Sequence, residues 1–127
     1  MEKKDPIWWL NAPKEHNYPA AEDYLTLLLP KKIVADLIKK LMKVEIEYFL
    51  AKDIFRASGI TNALTISNAH VQRNLEKIEK GIQLSSIILT KDVVHGRVII
   101  ADGFHRLCAV YICNEDARVP VKIVTIR

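Results

Sequence analysis

Apolar residues along this chain fall into runs whose spacing alternates between helical and strand-like periods. In "KKIVADLIKKLMKV" (residues 31–44), Ile33, Val34, Leu37, Ile38 and Leu41 recur at steps of three and four, and lysines fill the other face. That is the period of an amphipathic helix, and Pro30 suits its first turn. Just before it, "AAEDYLTLLL" (20–29) fits a short helix burying Leu25, Leu28 and Leu29. A third helix is predicted over "AHVQRNLEKIEKG" (69–81), capped by Ser67 or Asn68, striped by Val71, Leu75 and Ile78, and closed by Gly81.

Elsewhere the period is two. "VEIEYFLA" (44–51) alternates Val44, Ile46 and Tyr48 against Glu45 and Glu47, which predicts a half-exposed strand, although glutamates equally allow the preceding helix to continue. "KDIFRASGITNALTI" (52–66) reads as a short strand or turn segment ending at Gly59, then a loop. "LSSIILT" (84–90) is a short buried strand, "DVVHG" a turn, and "RVIIA" (97–101) its hairpin partner. A helix from about Phe104 to Cys113 follows, then the polar turn "NEDAR" and a closing strand, "VPVKIVTIR". Residues 1–19 are broken by Pro6, Pro13 and Pro19 and carry Trp8, Trp9 and Tyr18. They form an arm across the domain, either as cover for the core or as the aromatic wall of a cleft.

The chain has 127 residues, the size of one domain able to bury a core without disulfides or metals. Its net charge of +4 is too small an excess to argue for nucleic acid. No apolar stretch approaches a membrane span, and Pro6, Asn11, Pro13 and Glu15 interrupt any signal-peptide core, so a cytoplasmic protein is expected. Cys108 and Cys113, five apart, lie about 140° apart around a helix. They cannot bridge within it and are expected to fill the core.

The chemistry concentrates in "RVIIADGFHRLCAVYI" (97–112), where a strand passes within three residues into a helix. Asp102 and Gly103 stand at the helix start, whose first amides lack internal partners and carry partial positive charge. His105 and Arg106 fall in the first turn, where cations oppose the dipole. A bound phosphate resolves that conflict, with amides, imidazole and guanidinium directed at one anion and Gly103 allowing close approach. The same residues admit a purely structural role: Asp102 as cap, Arg106 paired with Asp102 or with the "NED" turn.

The stretch "LSSIILTKDVVHGRVIIADGFHRLCAVYICNEDARVPVKIV", with Gly103-Phe104-His105-Arg106 as a Gly-x-x-Arg motif and Pro120 leading the last strand, resembles the ParB/sulfiredoxin superfamily. The resemblance is specific over about forty residues, extends back to about Val44, and does not reach the first 43. It implies an α+β fold, a small mixed β-sheet with flanking helices, as a core over 44–127 carrying an N-terminal helical extension over 1–43. It further implies a nucleotide pocket for a nucleoside triphosphate, CTP or ATP, with Mg2+, because ParB proteins hold CTP phosphates at Gly-x-x-Arg and sulfiredoxins hold ATP at a Cys-His-Arg set. Free-serine kinases of the superfamily carry an Asp-Gly…Arg signature here. "DIFRASG" loosely matches an upstream arginine segment of the family, which makes Arg56 a candidate for the outer phosphate. Phe104 stands where sulfiredoxin has its cysteine nucleophile, which argues against sulfinic-acid repair. The helix-turn-helix and dimerisation domains of ParB do not follow Arg127 in this sequence, which argues against centromere partitioning by this chain alone.

The resulting expectation is a nucleotide-binding domain, acting as an NTPase or as a phosphotransferase to a small-molecule acceptor. Gly103, Phe104, His105, Arg106 and Arg56 are its candidate phosphate ligands, with Asp102, His105 and Arg106 as candidate catalytic groups. Asp102 is the candidate to hold magnesium or act as base, with Glu45 and Glu47 as alternatives, and no resident metal site is expected. A different class competes: a non-catalytic module binding nucleic acid or a protein through Lys31, Lys32, Lys39 and Lys40 and the aromatic arm. A third, sulfur-redox reading would use Cys108 or Cys113.

Overall fold

The computed structural model describes residues 6–60 and 67–126. Five helices and four strands follow one another as α1 (Asn17–Leu25), α2 (Lys31–Lys43), β1 (Glu47–Leu50), α3 (Ala51–Ser58), α4 (Ala69–Glu79), β2 (Ile87–Asp92), β3 (Arg97–Asp102), α5 (Phe104–Cys113) and β4 (Arg118–Thr125). The strands form one mixed sheet in the order β1-β4-β2-β3. β2 pairs antiparallel with β3 and parallel with β4, and β1 pairs antiparallel with β4. This is the α+β class with a small mixed sheet flanked by helices.

Both faces of the sheet are covered, which explains why β2 reads as a continuous apolar run rather than an alternating one. Ile87 and Leu89 face α3, α4 and α5 in a core with Ile54, Val71 and Leu107. Ile88 faces the other way, with Ile99 and Ala101, into a second core beneath α1 and α2 built on Leu25, Val34 and Leu41. α1 and α2 therefore supply the cover on that sheet face.

Local chemistry accounts for the helix ends. The Asn68 side chain accepts from the amides of His70 and Val71 and caps α4, a contact typically worth about 1 kcal/mol. Lys122, buried on β4, donates its ammonium to the Val44 carbonyl at the end of α2, where cations are favoured.

Three elements depart from the sequence expectations. The first helix begins at Asn17 and ends at Leu25, not 20–29. Pro19 is accommodated because a first-turn residue has no intrahelical partner for the missing N–H. Leu28, predicted buried, is 45% exposed. Residues 51–58 form α3 instead of a strand or turn segment, burying Ala51, Ile54 and Phe55. The loop predicted beyond it lies, from residue 61 to 66, outside the described residues. The strand predicted over 44–51 shortens to β1, an edge strand on which Tyr48 faces solvent beneath the Arg118 guanidinium rather than the core. In the arm, Trp9 packs against the α3–α5 core while Trp8 stays exposed.

Candidate functional site

The strand-to-helix junction is built around one left-handed residue. Gly103 has φ +99° and caps α5. A Cβ there would lie 2.5 Å from Ile87 Cδ1 and 2.7 Å from Arg106 Nη2, so the Arg106 guanidinium lies directly against the bare Cα. A bulge precedes the turn: Ile88 pairs with Asp102 and Leu89 with Ile100, leaving Ala101 as an extra residue on β3. Such bulges re-aim the residues that follow. No side chain caps α5, whose ladder opens with the Leu107 amide donating to the Gly103 carbonyl at 2.9 Å. The helix therefore presents its first amides uncapped by any side chain.

Arg106 is held from two further sides. Its Nη2 donates to Asp102 Oδ2 at 3.1 Å and to the Ser86 carbonyl at 3.2 Å, and both side chains of the ion pair are 15% exposed. The Asp102 carboxylate thus neutralises the guanidinium across one helical turn instead of capping the helix. Buried Nε of Arg106 has no hydrogen-bond partner among the described residues.

Two cavities meet at this turn. On one side an open cleft of about 530 Å³ runs along β3, with Tyr24, Leu28 and Ile60 on its walls and Gly103, Phe104 and His105 at its end. On the other side lies a smaller polar hollow of about 210 Å³. Lys14, His16, His70, Arg73, Lys77 and Arg106 line it, and among the described residues no Asp or Glu does. His70, Arg73 and Lys77 come from one face of α4, at spacings of three and four that place them in a row. Lys14 and His16 come from the arm.

The histidines join the two cavities. The His70 and His105 rings stand 4.8 Å apart, centre to centre. Arg73 Nη2 lies 3.1 Å from His70 Nδ1. A guanidinium has no acceptor, so Nδ1 accepts in that contact, which it can do only while the ring is neutral. Burial, and secondarily the His70 charge, holds the His105 imidazole below the usual histidine range.

Set against the sequence, the structure gathers Asp102, Gly103, Phe104, His105 and Arg106 at one turn but divides them between cavities, with His105 on the cleft and Arg106 on the hollow. Arg56 is not brought to either. It sits on α3, 81% exposed, ion-paired with Asp53 at 2.7 Å, beside a separate depression that includes Tyr111 and Glu115. Cys108 is fully buried in the α3–α5 core. Among the described residues, no group of three or more His, Cys, Asp or Glu comes together, and no helix is long and apolar enough to cross a membrane. Sequence reasoning missed the α4 row and the arm's contribution. The signal for the first was present as basic residues three and four apart opposite the Val71–Leu75–Ile78 stripe. For the second there was none, because only the fold brings residue 14 to residue 106.

Comparison with known proteins adds no identity: no family model matches the chain, and no curated protein or solved structure matches it significantly.

Proposed function

We propose that this protein is a nucleoside-triphosphate-binding domain that holds the phosphates in the basic hollow beside the α5 N-terminus. One observation carries the reading: six basic side chains from three separate segments converge on a hollow that, among the described residues, no carboxylate lines. Arg106 has Asp102 as its counter-charge, but among the described residues Lys14, Arg73 and Lys77 meet no carboxylate lining the hollow, and like charges brought together raise the free energy of the empty protein. A polyanion reverses the sign of each of those interactions, and charge-assisted hydrogen bonds from guanidinium and ammonium groups are the strong kind. The α5 N-terminus, whose first residues line the cleft on the other side of the turn, reaches the hollow through Arg106. Gly103 contributes by leaving room for the Arg106 guanidinium, which the resemblance to the ParB/sulfiredoxin superfamily also singles out as the phosphate ligand.

CTP or ATP, the nucleotides that the resemblance implies, fit this reading equally well. Magnesium would travel with the phosphates, since the one carboxylate at the turn is committed to Arg106. For turnover, the imidazoles lining the hollow are His16 and His70, while His105 and Asp102 line the cleft on the other side of the turn. Isothermal titration with ATP, CTP, GTP and inorganic tripolyphosphate, with and without Mg2+, is the test. Binding by at least one nucleotide, lost in Arg106→Ala, is expected. Wild-type protein that binds none of these at millimolar concentration sinks the reading.

A further inference from the structure

The N-terminal arm is fixed to the hollow at two points. On one side of it, the Leu10 amide donates to the Leu84 carbonyl and the Leu84 amide to the Trp8 carbonyl, both at 2.8 Å, closing a parallel bridge between Trp9 and Leu84. Leu84 and the adjacent Ser85 themselves line the hollow. On the other side, the Lys14 amide donates to Asn17 Oδ1 at 2.7 Å and the Asn17 amide returns to the Lys14 carbonyl at 2.9 Å. Asn17 is buried and begins α1, whose Tyr18, Ala21 and Leu25 lie in the core on the opposite sheet face. The short segment carrying Lys14 and His16 is therefore pinned on both sides, with both side chains on the hollow.

The charges divide unevenly between its walls. Arg106 is already balanced by Asp102. The permanent charges that α4 turns to the hollow are then Arg73 and Lys77, its Glu76 and Glu79 not being among the lining residues, and they match a single phosphate, which carries up to two negative charges. A chain of linked phosphates carries more than α4 offers, and the arm supplies the balance through Lys14, with His16 able to add a proton. A ligand long enough to meet both walls gains from all of these groups, whereas an orthophosphate seated on α4 does not.

We infer that Lys14 and His16 are specificity-determining residues that make the hollow select linked phosphates over a single phosphate. This rests on the phosphate reading of the site given above. The experiment compares binding of inorganic tripolyphosphate and of orthophosphate by calorimetry at fixed ionic strength, for wild type, Lys14→Ala, His16→Ala, the double variant, and Lys31→Ala as a charge-matched control on α2. Lys14 and His16 are exposed, so the variants are expected to melt at the wild-type temperature. In the double variant, tripolyphosphate affinity is expected to fall about tenfold or more while orthophosphate affinity stays within about twofold. Lys31→Ala should change neither by more than about twofold, because α2 covers the opposite sheet face and Lys31 does not line the hollow. A double variant that keeps the wild-type ratio of the two affinities, or that loses both anions equally, overturns the role of the arm and leaves the phosphate site standing. Wild-type protein that binds neither anion overturns both.

Discussion

Replacing Gly103 by alanine tests the junction most directly. At φ +99° an L-residue is strained by about 1–2 kcal/mol. The new Cβ also meets Ile87 Cδ1 at 2.5 Å and the Arg106 guanidinium at 2.7 Å, and something must shift. Both atoms are side-chain ends, so the cost depends on what holds them. Ile87 is fully buried in the α3–α5 core, and moving it overpacks that core by about 1–3 kcal/mol. Arg106 can swing only by leaving Asp102 and the Ser86 carbonyl. The two routes lead to a total of about 3 kcal/mol, against about 1 kcal/mol for Gly81→Ala, where φ is +73° and nothing lies within 4 Å of the added carbon. Urea unfolding followed by circular dichroism reads the difference as a midpoint lower by about 1 M or more in Gly103→Ala than in Gly81→Ala. Tripolyphosphate affinity should fall with it, because the displaced guanidinium no longer lines the hollow as it did. If the two alanine variants unfold within about 0.5 kcal/mol of each other and bind alike, the close packing of Arg106 against Gly103 is not what orders this turn.

Two further outcomes are expected. His105 gains protons less readily when folded, because burial and then His70 disfavour its charge, so the unfolded chain binds the proton first as pH falls. Stability from this group is full above about pH 6.5, declines as the pH drops through that value towards the lower folded one, and then levels off. Urea melts at stepped pH should show a shallower decline in His105→Asn, and an unchanged slope would contradict the half-buried, His70-facing placement. Lys122→Ala removes the ammonium that meets the Val44 carbonyl and the stem that fills the α2 face, and should cost about 2 kcal/mol. A thermal melt showing no loss would mean that water serves the end of α2 equally well.

Much of the framework was legible because it is local. The stripe of α2, the Asn68 cap and Gly81 stop of α4, the β2–β3 hairpin and the step from β3 into α5 each depend on residues within a few positions of one another. The junction was legible for the same reason: glycine, histidine and arginine in one helical turn announce their shared location. α3 was not, since eight residues with Ile54 and Phe55 adjacent do not separate a helical period from a strand period. Tyr48 was misassigned because alternation predicts a strand's two faces but cannot say that the strand lies at a sheet edge.

What the sequence by itself determined, then, is where the chain turns, caps and changes period, because those preferences act between neighbours along the backbone. Only the tertiary structure decided that β2 lies parallel to β4, that His105 and Arg106 serve different cavities, and that Lys14 and His16 stand with Arg73 and Lys77 around one hollow. Those facts depend on how two cores close on opposite faces of one sheet, and burial of apolar area is indifferent to which charged residues it carries together.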